Sequence, residues 1–366
     1  MVALHAILKV VCLVLASSAV VPLDTGNSES ACGREGMGEC TAVAKPACLL
    51  YTTGPTARFD NELRELTGTG LNSDSSLDQV QLAAIDSMHY RGHESVPAML
   101  QSFHGDKKRG DSDVDKNGQN GAQVVNPRHI LDLGSGFGGC SRHIAALTGT
   151  STVTALELQP DISAAAKQLT DRCGLADRVA HVTGDILAPS AGGGWQTALP
   201  QDGNYELAFS KLVVLHIPFH ERPRLWQRLA TEVLAPGGIL YLEDYFARDP
   251  TGGAAFSVDE ITDLENLVGC PNARELPTRD AYVAQLQAAG FVETTFIDAT
   301  TSWAPWVAER ATKYASAAER NLRVQGPVIT AAMGTFYNTT ARLFANGRLG
   351  GAVISARRPS AVHRSN

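Results

Sequence analysis

The sequence predicts an α/β fold: a seven-stranded, mostly parallel sheet with helices on both faces and a helical cap inserted before the last strand. Three observations carry this. Apolar runs alternate with helical patterns from His129 to Ile297, the order that builds a parallel sheet with crossover helices. The internal runs are apolar throughout, as burial on both faces requires. One run, Ile130-Leu131-Asp132-Leu133, passes through the turn Gly134-Ser135-Gly136-Phe137-Gly138-Gly139 into a helical pattern that begins at Cys140. Glycines allow positive φ and close approach of a ligand, and the helix end offers free N–H groups.

Residues 1–22 read as a targeting segment. Val10 to Leu15 is apolar and Ala16-Ser17-Ser18-Ala19 follows, a hydrophobic core with a small-residue cleavage site. The run is too short to span a bilayer, so no stable membrane span is expected in the mature chain. Residues 23–76 are rich in Gly, Ser and Thr without periodicity and read as a poorly ordered linker. Residues 77–103 form an N-terminal helical cap, with Leu77, Val80, Ala84 and Met88 at helical spacing. Residues 104–127 are polar and read as a flexible insertion.

The core is expected over residues 128–299. Its strands are Ile130–Leu133, Val153–Leu158, Arg178–Thr183, Tyr205–Ser210, Ile239–Tyr245 and Phe291–Ile297. Helices fall between them, one marked by Ile162, Ala166, Leu169 and Cys173, another by Leu225, Leu229 and Val233 and stopped by Pro236-Gly237-Gly238. Residues 300–346 are a helical cap, with one face of Val307, Ala311, Tyr314 and Ala318 and another of Ala332, Phe336, Thr339 and Leu343. Residues 347–358 carry the final strand. A cap inserted there is well placed to cover a ligand pocket.

Composition limits the function. The 366 residues carry a net charge of −7, and Lys107-Lys108-Arg109 and Arg357-Arg358 are isolated basic groups. Nucleic acid needs a basic face, which argues against it as a partner. Of seven cysteines, six remain if Cys12 leaves with the leader. Cys32, Cys40 and Cys48 are evenly spaced but odd in number, and their spacing misses the short zinc signature, so no metal site is expected. Asn338-Thr339-Thr340 fits a glycosylation sequon inside a helical pattern.

Gly134, Gly136 and Gly139 fit the G-x-G-x-x-G dinucleotide fingerprint. In open α/β sheets the ligand lies beyond the carboxyl ends of the strands, and three acids sit at such ends. Asp132 precedes the turn. Glu157 ends the second strand, where an acid takes both ribose hydroxyls, and Asp185 follows the third, within reach of an adenine amino group. A dinucleotide enzyme explains Glu157 but not Asp132 together with the later elements.

This set resembles the class I S-adenosylmethionine-dependent methyltransferases. Their Rossmann-like sheet carries an acid two residues before the glycine turn, an acid ending the second strand, Gly-Asp after the third and a Leu-x-Pro-Gly-Gly element before the fifth. Here these are Leu131-Asp132-Leu133-Gly134-Ser135-Gly136, Glu157, Gly184-Asp185 and Leu234-Ala235-Pro236-Gly237-Gly238. The resemblance implies S-adenosyl-L-methionine as cofactor, contacted by Asp132, Gly134, Ser135, Gly136, Glu157, Leu158, Asp185, Ile186 and Ser210. Arg91-Gly92-His93-Glu94-Ser95-Val96 and Leu212-Val213-Val214-Leu215-His216-Ile217-Pro218 are similar to segments of the phosphoethanolamine, sarcosine/dimethylglycine and tocopherol methyltransferases, and Gly347-Arg348-Leu349-Gly350-Gly351 resembles the end of the sarcosine/dimethylglycine enzymes. Two departures stand out: Arg91 replaces a glycine, and Leu212 stands where phosphoethanolamine enzymes usually carry an acid.

Methyl transfer is an in-line displacement at a sulfonium methyl, so positioning carries much of the catalysis. An amine acceptor must also lose a proton, and an imidazole near neutrality accepts it. His216, after the fourth strand, is the candidate base, and the resemblance implies a functional histidine there. Methylated nitrogen favours aromatic faces, which Tyr90, Tyr245, Trp303, Trp306 and Tyr337 offer. Arg310 on the cap can fork onto a carboxylate or phosphate. The expected function is methyl transfer to the nitrogen of a small amine or amino acid, such as sarcosine, dimethylglycine or phosphoethanolamine. The alternatives are C-methylation of a lipid, such as a tocopherol or sterol, and a non-catalytic cofactor-binding protein. The leader points to the secretory route or an organelle reached through it. The cofactor, made in the cytosol, points to the cytoplasm.

Overall fold

A computed structural model describes residues 54–86, 92–104, 126–187, 205–248 and 256–360. The leader, Cys12, Cys32, Cys40, Cys48, Tyr90, Arg91 and nearly all of the insertion over 104–127 lie outside the described residues.

Seven strands form one sheet: β1 (His129–Leu133), β2 (Thr152–Glu157), β3 (Val179–Thr183), β4 (Tyr205–Lys211), β5 (Leu234–Ala247), β6 (Val292–Asp298) and β7 (Leu349–Arg357). Their order is β3-β2-β1-β4-β5-β7-β6. The first five pair in parallel, and β7 runs antiparallel to both β5 and β6. This is the expected Rossmann-like sheet. The order reverses between β1 and β4, and that switch point is where α/β sheets open a crevice for a ligand.

The crossovers between parallel strands are α4 (Gly139–Thr148), α5 (Pro160–Arg172) and α6 (Arg222–Arg228), the last continuing as a π turn over Leu229–Val233. Among the described residues three α-helices precede the sheet: α1 (Pro55–Thr67), α2 (Gln79–Asp86) and α3 (Val96–His104). After β5 come α7 (Val258–Asp263), extended by a π turn over Leu264–Val268, and α8 (Arg279–Ala288). The cap is α9 (Thr300–Ser316) and α10 (Ala318–Ala345). Gly326 breaks α10 with φ 77° and ψ 167°, one residue before Pro327. Leu131, Leu133, Ala208, Leu240 and Leu242 join Trp226 and Leu229 in one core layer, and Ile130, Val153, Leu207 and Phe209 join Ile144 and Met99 in the other. Both faces of the central strands are covered, as their apolar runs demand.

Two sequence expectations need correction. The linker read over 23–76 contains α1, with Phe59 and Leu63 buried against Leu82 and Leu169. That helix is locally polar, and what holds it is distant in sequence. Glu62 pairs with Arg320 at 2.5 Å, and the Asn61 side chain donates to the Val324 carbonyl at 3.0 Å. The second concerns β5, which starts at Leu234 rather than Ile239. Pro236-Gly237-Gly238 therefore lies inside the strand. There the Gly237 N–H donates to the Arg358 carbonyl at 3.0 Å, and the Arg358 N–H to Gly238 at 2.8 Å.

Among the described residues no helix is long and apolar enough to cross a membrane. Asn338 is exposed on α10, while Thr339 and Thr340 are buried.

Candidate active site

The glycine turn after β1 is shaped by its neighbours. Gly134 has φ 76°, and a Cβ there would lie 2.5 and 2.6 Å from the two γ carbons of Val213. Only glycine meets both the conformation and the space. The N–H groups of Gly134 and Ser135 both donate to the Leu156 carbonyl at 2.9 Å, which ties the turn to β2. Gly136 N–H donates to Glu157 Oε2 at 2.9 Å, and Gln159 N–H to Glu157 Oε1 at 3.0 Å. Burial pushes the Glu157 carboxyl up from its ordinary pKa, against the pull of these N–H donors.

Asp132 is 4% exposed and accepts the Ser141 hydroxyl at 2.6 Å. Burial is the main cause that pushes its pKa to about 7, partly opposed by that hydrogen bond and by Lys211. An acid held this way gains by meeting a cation. Asp185 follows β3 and accepts the Leu187 N–H at 2.8 Å.

These groups line a cavity of about 550 Å³ that runs from the glycine turn to the cap. Its cradle end is formed by Asp132, Gly134, Ser135, Gly136, Glu157, Leu158, Asp185 and Ile186. Its far end is formed by His216, Tyr245, Trp306, Arg310, Phe336 and Tyr337. The structure thus brings together all but three of the residues picked from sequence. Tyr90 lies outside the described residues. Ser210 is 1% exposed and donates its hydroxyl to the Leu133 carbonyl at 3.2 Å, off the cavity wall. Trp303 is also off the wall, packed so closely on β7 that a Cβ at Gly351 would come within 2.0 Å of its ring.

His216 sits in the short turn Val214–His216 that follows β4. Its Nδ1 lies 2.6 Å from the Gly269 carbonyl. A carbonyl only accepts, so Nδ1 carries the proton and Nε2 keeps its lone pair. Burial lowers the imidazole pKa, more than the Gly269 bond raises it, and Arg222 lowers it further. At pH 7 this histidine is a neutral base.

On the cap, Arg310 is held flat. Its guanidinium lies 5.0 Å from the Trp306 ring centroid and 5.4 Å from that of Tyr337, and Nε donates to the Tyr337 hydroxyl at 3.2 Å. Arg310 and Trp306 share one side of α9, while Trp303 faces the core.

Sequence reasoning missed Lys211. It ends β4 on the cavity wall, paired with Glu243 at 2.9 Å with both side chains almost wholly buried. Its ammonium also donates to the Ser95 hydroxyl, tying the segment before α3 to the sheet. The available signal was its register: Lys211 is the last residue of β4, directly opposite Glu243.

Comparison with known proteins decides what this cavity is for. Residues 130–238, from β1 to the start of β5, match the profile of a methyltransferase-domain family. The chain carries a methyltransferase domain. The structure is similar to a phosphoethanolamine N-methyltransferase of Haemonchus contortus, solved with phosphomonomethylethanolamine and S-adenosylhomocysteine, at 15% identity and TM-score 0.59. That match covers 86% of this chain and 60% of the other, so this methyltransferase spans less than two thirds of that enzyme. It is also similar to a protein assigned as a sarcosine dimethylglycine methyltransferase from Galdieria sulphuraria, at 18% identity and TM-score 0.52, covering 64% of this chain and 79% of that one. A cyclopropane synthase from Mycobacterium tuberculosis matches at 15% identity and TM-score 0.52, covering 63% and 78%. At these identities the likeness is one of fold.

The residues present fit S-adenosylmethionine as the cofactor of this methyltransferase. The Ser135 hydroxyl is buried on the cradle wall and has no hydrogen-bond partner among the described residues. Asp132 and Glu157 offer buried carboxylates at the two sides of the turn, and Gly134 leaves no room for a side chain. The enzyme is an S-adenosylmethionine-dependent methyltransferase.

Proposed function

We propose that this methyltransferase acts on the nitrogen of a small amine or amino acid, of the sarcosine, dimethylglycine or phosphoethanolamine kind. The observation that carries the proposal is His216: a neutral imidazole on the cavity wall, its Nδ1–H fixed on Gly269 and its Nε2 left as acceptor. Bound S-adenosylmethionine supplies an electrophilic sulfonium methyl. His216 Nε2 takes the proton of the ammonium substrate, which frees the nitrogen lone pair for attack. Arg310 orients the substrate by its anionic group, through the planar fork that Trp306 and Tyr337 hold in place. Tyr245 and Tyr337 line the wall with aromatic surface that suits a methylated cation. Leu215, Val268, Met333 and Phe336 give the far end apolar walls. The names of the Haemonchus and Galdieria proteins support the same substrate class.

C-methylation of a lipid is the second reading, favoured by that apolar lining. That reaction too needs a base, for the proton lost from carbon, but on a tocopherol or sterol it gives no use to the fixed guanidinium of Arg310. The test is turnover with S-adenosylmethionine on a panel of glycine derivatives, phospho-bases and prenyl lipids, with product mass and methyl position read by mass spectrometry. N-methylated product that disappears with His216→Gln is the expected result. C-methylated lipid as the sole product overturns the proposal. For location, we propose that residues 1–22 direct the chain into the secretory route. A tagged chain lacking them that distributes like the full chain refutes this.

A further inference from the structure

The turn that carries His216 is gripped from behind by buried polar groups that never reach the cavity wall. Asp244 of β5 is 1% exposed, Arg222 at the start of α6 is 2% exposed and Tyr282 of α8 is fully buried. The Asp244 carboxylate accepts the Tyr282 hydroxyl at 2.7 Å and the Tyr245 N–H at 2.8 Å. The N–H of Leu215, immediately before His216, also bonds to it. On the other side, Arg222 Nε donates to the carbonyl of Ile217, immediately after His216, at 3.0 Å. Arg222 lies 5.7 Å over the Tyr282 ring, so the acid, the phenol and the guanidinium form one stack.

We propose that Asp244, Arg222 and Tyr282 are positioning residues that set the orientation and tautomer of His216. The inference deepens the reading of His216 as the base and rests on it. Leu215 and Ile217 flank the histidine, and the buried carboxylate holds the N–H of one while the buried guanidinium holds the carbonyl of the other. With the turn fixed, the imidazole Nδ1–H meets the Gly269 carbonyl at 2.6 Å, and the lone pair stays on Nε2. Burying charges costs stability unless they are well paired. Here Arg222 Nη1 is buried with no hydrogen-bond partner among the described residues, so the cluster is not tuned for stability alone. Buried polar groups of this kind fix geometry, and the geometry they fix is that of the candidate base.

The charges facing His216 from this side are Arg222 and Asp244. Burial pushes the Cys270 thiol to about 12 and the Tyr282 phenol well above its ordinary value, so both stay neutral. Glu265 lies beyond Cys270, and Arg310 and Lys211 line the same cavity. Burial pushes the Asp244 carboxyl up to about 6 against the pull of Arg222, Tyr282 and the two N–H donors, so its charge fades where His216 titrates, and the tautomer of His216 is the property it sets.

The experiment uses full-length chain labelled with ¹⁵N-histidine, in which the His216 signals are identified by their loss in His216→Gln. In the parent protein the neutral Nδ1–H form is expected, titrating below the ordinary histidine range. In Asp244→Asn the Nε2–H form appears beside it. Tyr282→Phe, which keeps both charges and the ring, also gives the mixed tautomer, and it decides the matter if Asp244→Asn does not fold. With the acceptor found by the substrate panel, kcat falls about 10- to 100-fold in Asp244→Asn, while cofactor affinity by calorimetry stays within about threefold of the parent. An unchanged His216 tautomer in both variants overturns the inference. Unaltered turnover in His216→Gln overturns the base reading instead, and the two failures are read separately.

Discussion

Gly134→Ala tests the physical reason for the glycine turn. The backbone there has φ 76°, which costs a side-chain-bearing residue about 1–2 kcal/mol. The new Cβ would also lie 2.5 and 2.6 Å from the γ carbons of Val213, against about 3.5–4.0 Å for ordinary carbon contact. The turn cannot retreat freely, because the N–H groups of Gly134 and Ser135 are both bonded to Leu156. Overpacking of this kind costs about 1–3 kcal/mol. The two terms together give a loss of about 2–5 kcal/mol. Val213→Ala in the same chain removes both γ carbons but leaves the φ strain, and its own Cβ still lies 3.1 Å from the new one. The double variant should therefore recover about 1–3 kcal/mol and no more. Urea unfolding of the four proteins of this cycle measures the coupling, and calorimetry with S-adenosylhomocysteine shows whether the turn still binds. Effects that add to within about 0.5 kcal/mol would falsify the contact between Gly134 and Val213 as the reason for the glycine.

Asp132, pushed to about 7 by burial, binds its proton more tightly folded than unfolded, so its contribution to stability is greatest below about pH 4 and is lost as pH rises through 7. Asp132→Asn should raise the stability of the cofactor-free enzyme at pH 8 by up to about 4 kcal/mol and weaken S-adenosylmethionine binding. Equal melting curves at pH 6 and 8 in the parent would contradict this. Arg142 and Asp86 pair at 2.6 Å with both side chains fully buried. Arg142→Ala strands the acid and should cost about 3–5 kcal/mol in chemical denaturation, and a loss below 1 kcal/mol would show that the acid finds another partner. Arg310→Ala should raise KM for an anionic amine about 10- to 100-fold, the worth of a charge-assisted bond, without changing cofactor affinity. Arg310→Lys should not restore it, since the flat fork between Trp306 and Tyr337 is lost.

The sheet was legible because its signals are local. A strand buried on both faces reads as an apolar run, and β1, β2, β4 and β5 do so, while β3 at the sheet edge alternates. Residue identity at the strand ends then placed Asp132, Glu157 and Asp185 around one turn. Helix α1 was missed although Pro55, Phe59 and Leu63 recur at a spacing of four and form its buried face. What fixes it in place comes from Arg320, Arg323 and Val324, more than 250 residues away, and no local pattern contains those contacts.

The same distinction explains the site. Ser210 and Lys211 are adjacent at the end of β4, and alternation along a strand sends one inward and one toward the crevice. Sequence gives the alternation but not its phase. The phase is set by the pairing of Lys211 with Glu243 across β4 and β5, which leaves Ser210 under the turn on Leu133. The cap poses the corresponding problem at a period of 3.6. Trp303, Trp306 and Arg310 recur at spacings of three and four, so all three read as one face. The helix nevertheless divides them, because Gly351 of β7 leaves a hollow that Trp303 fills. Once Trp303 is spent on the core, Trp306 and Tyr337 are the rings left to hold Arg310. One glycine on the last strand thus decides which aromatic side chains of the cap line the cavity.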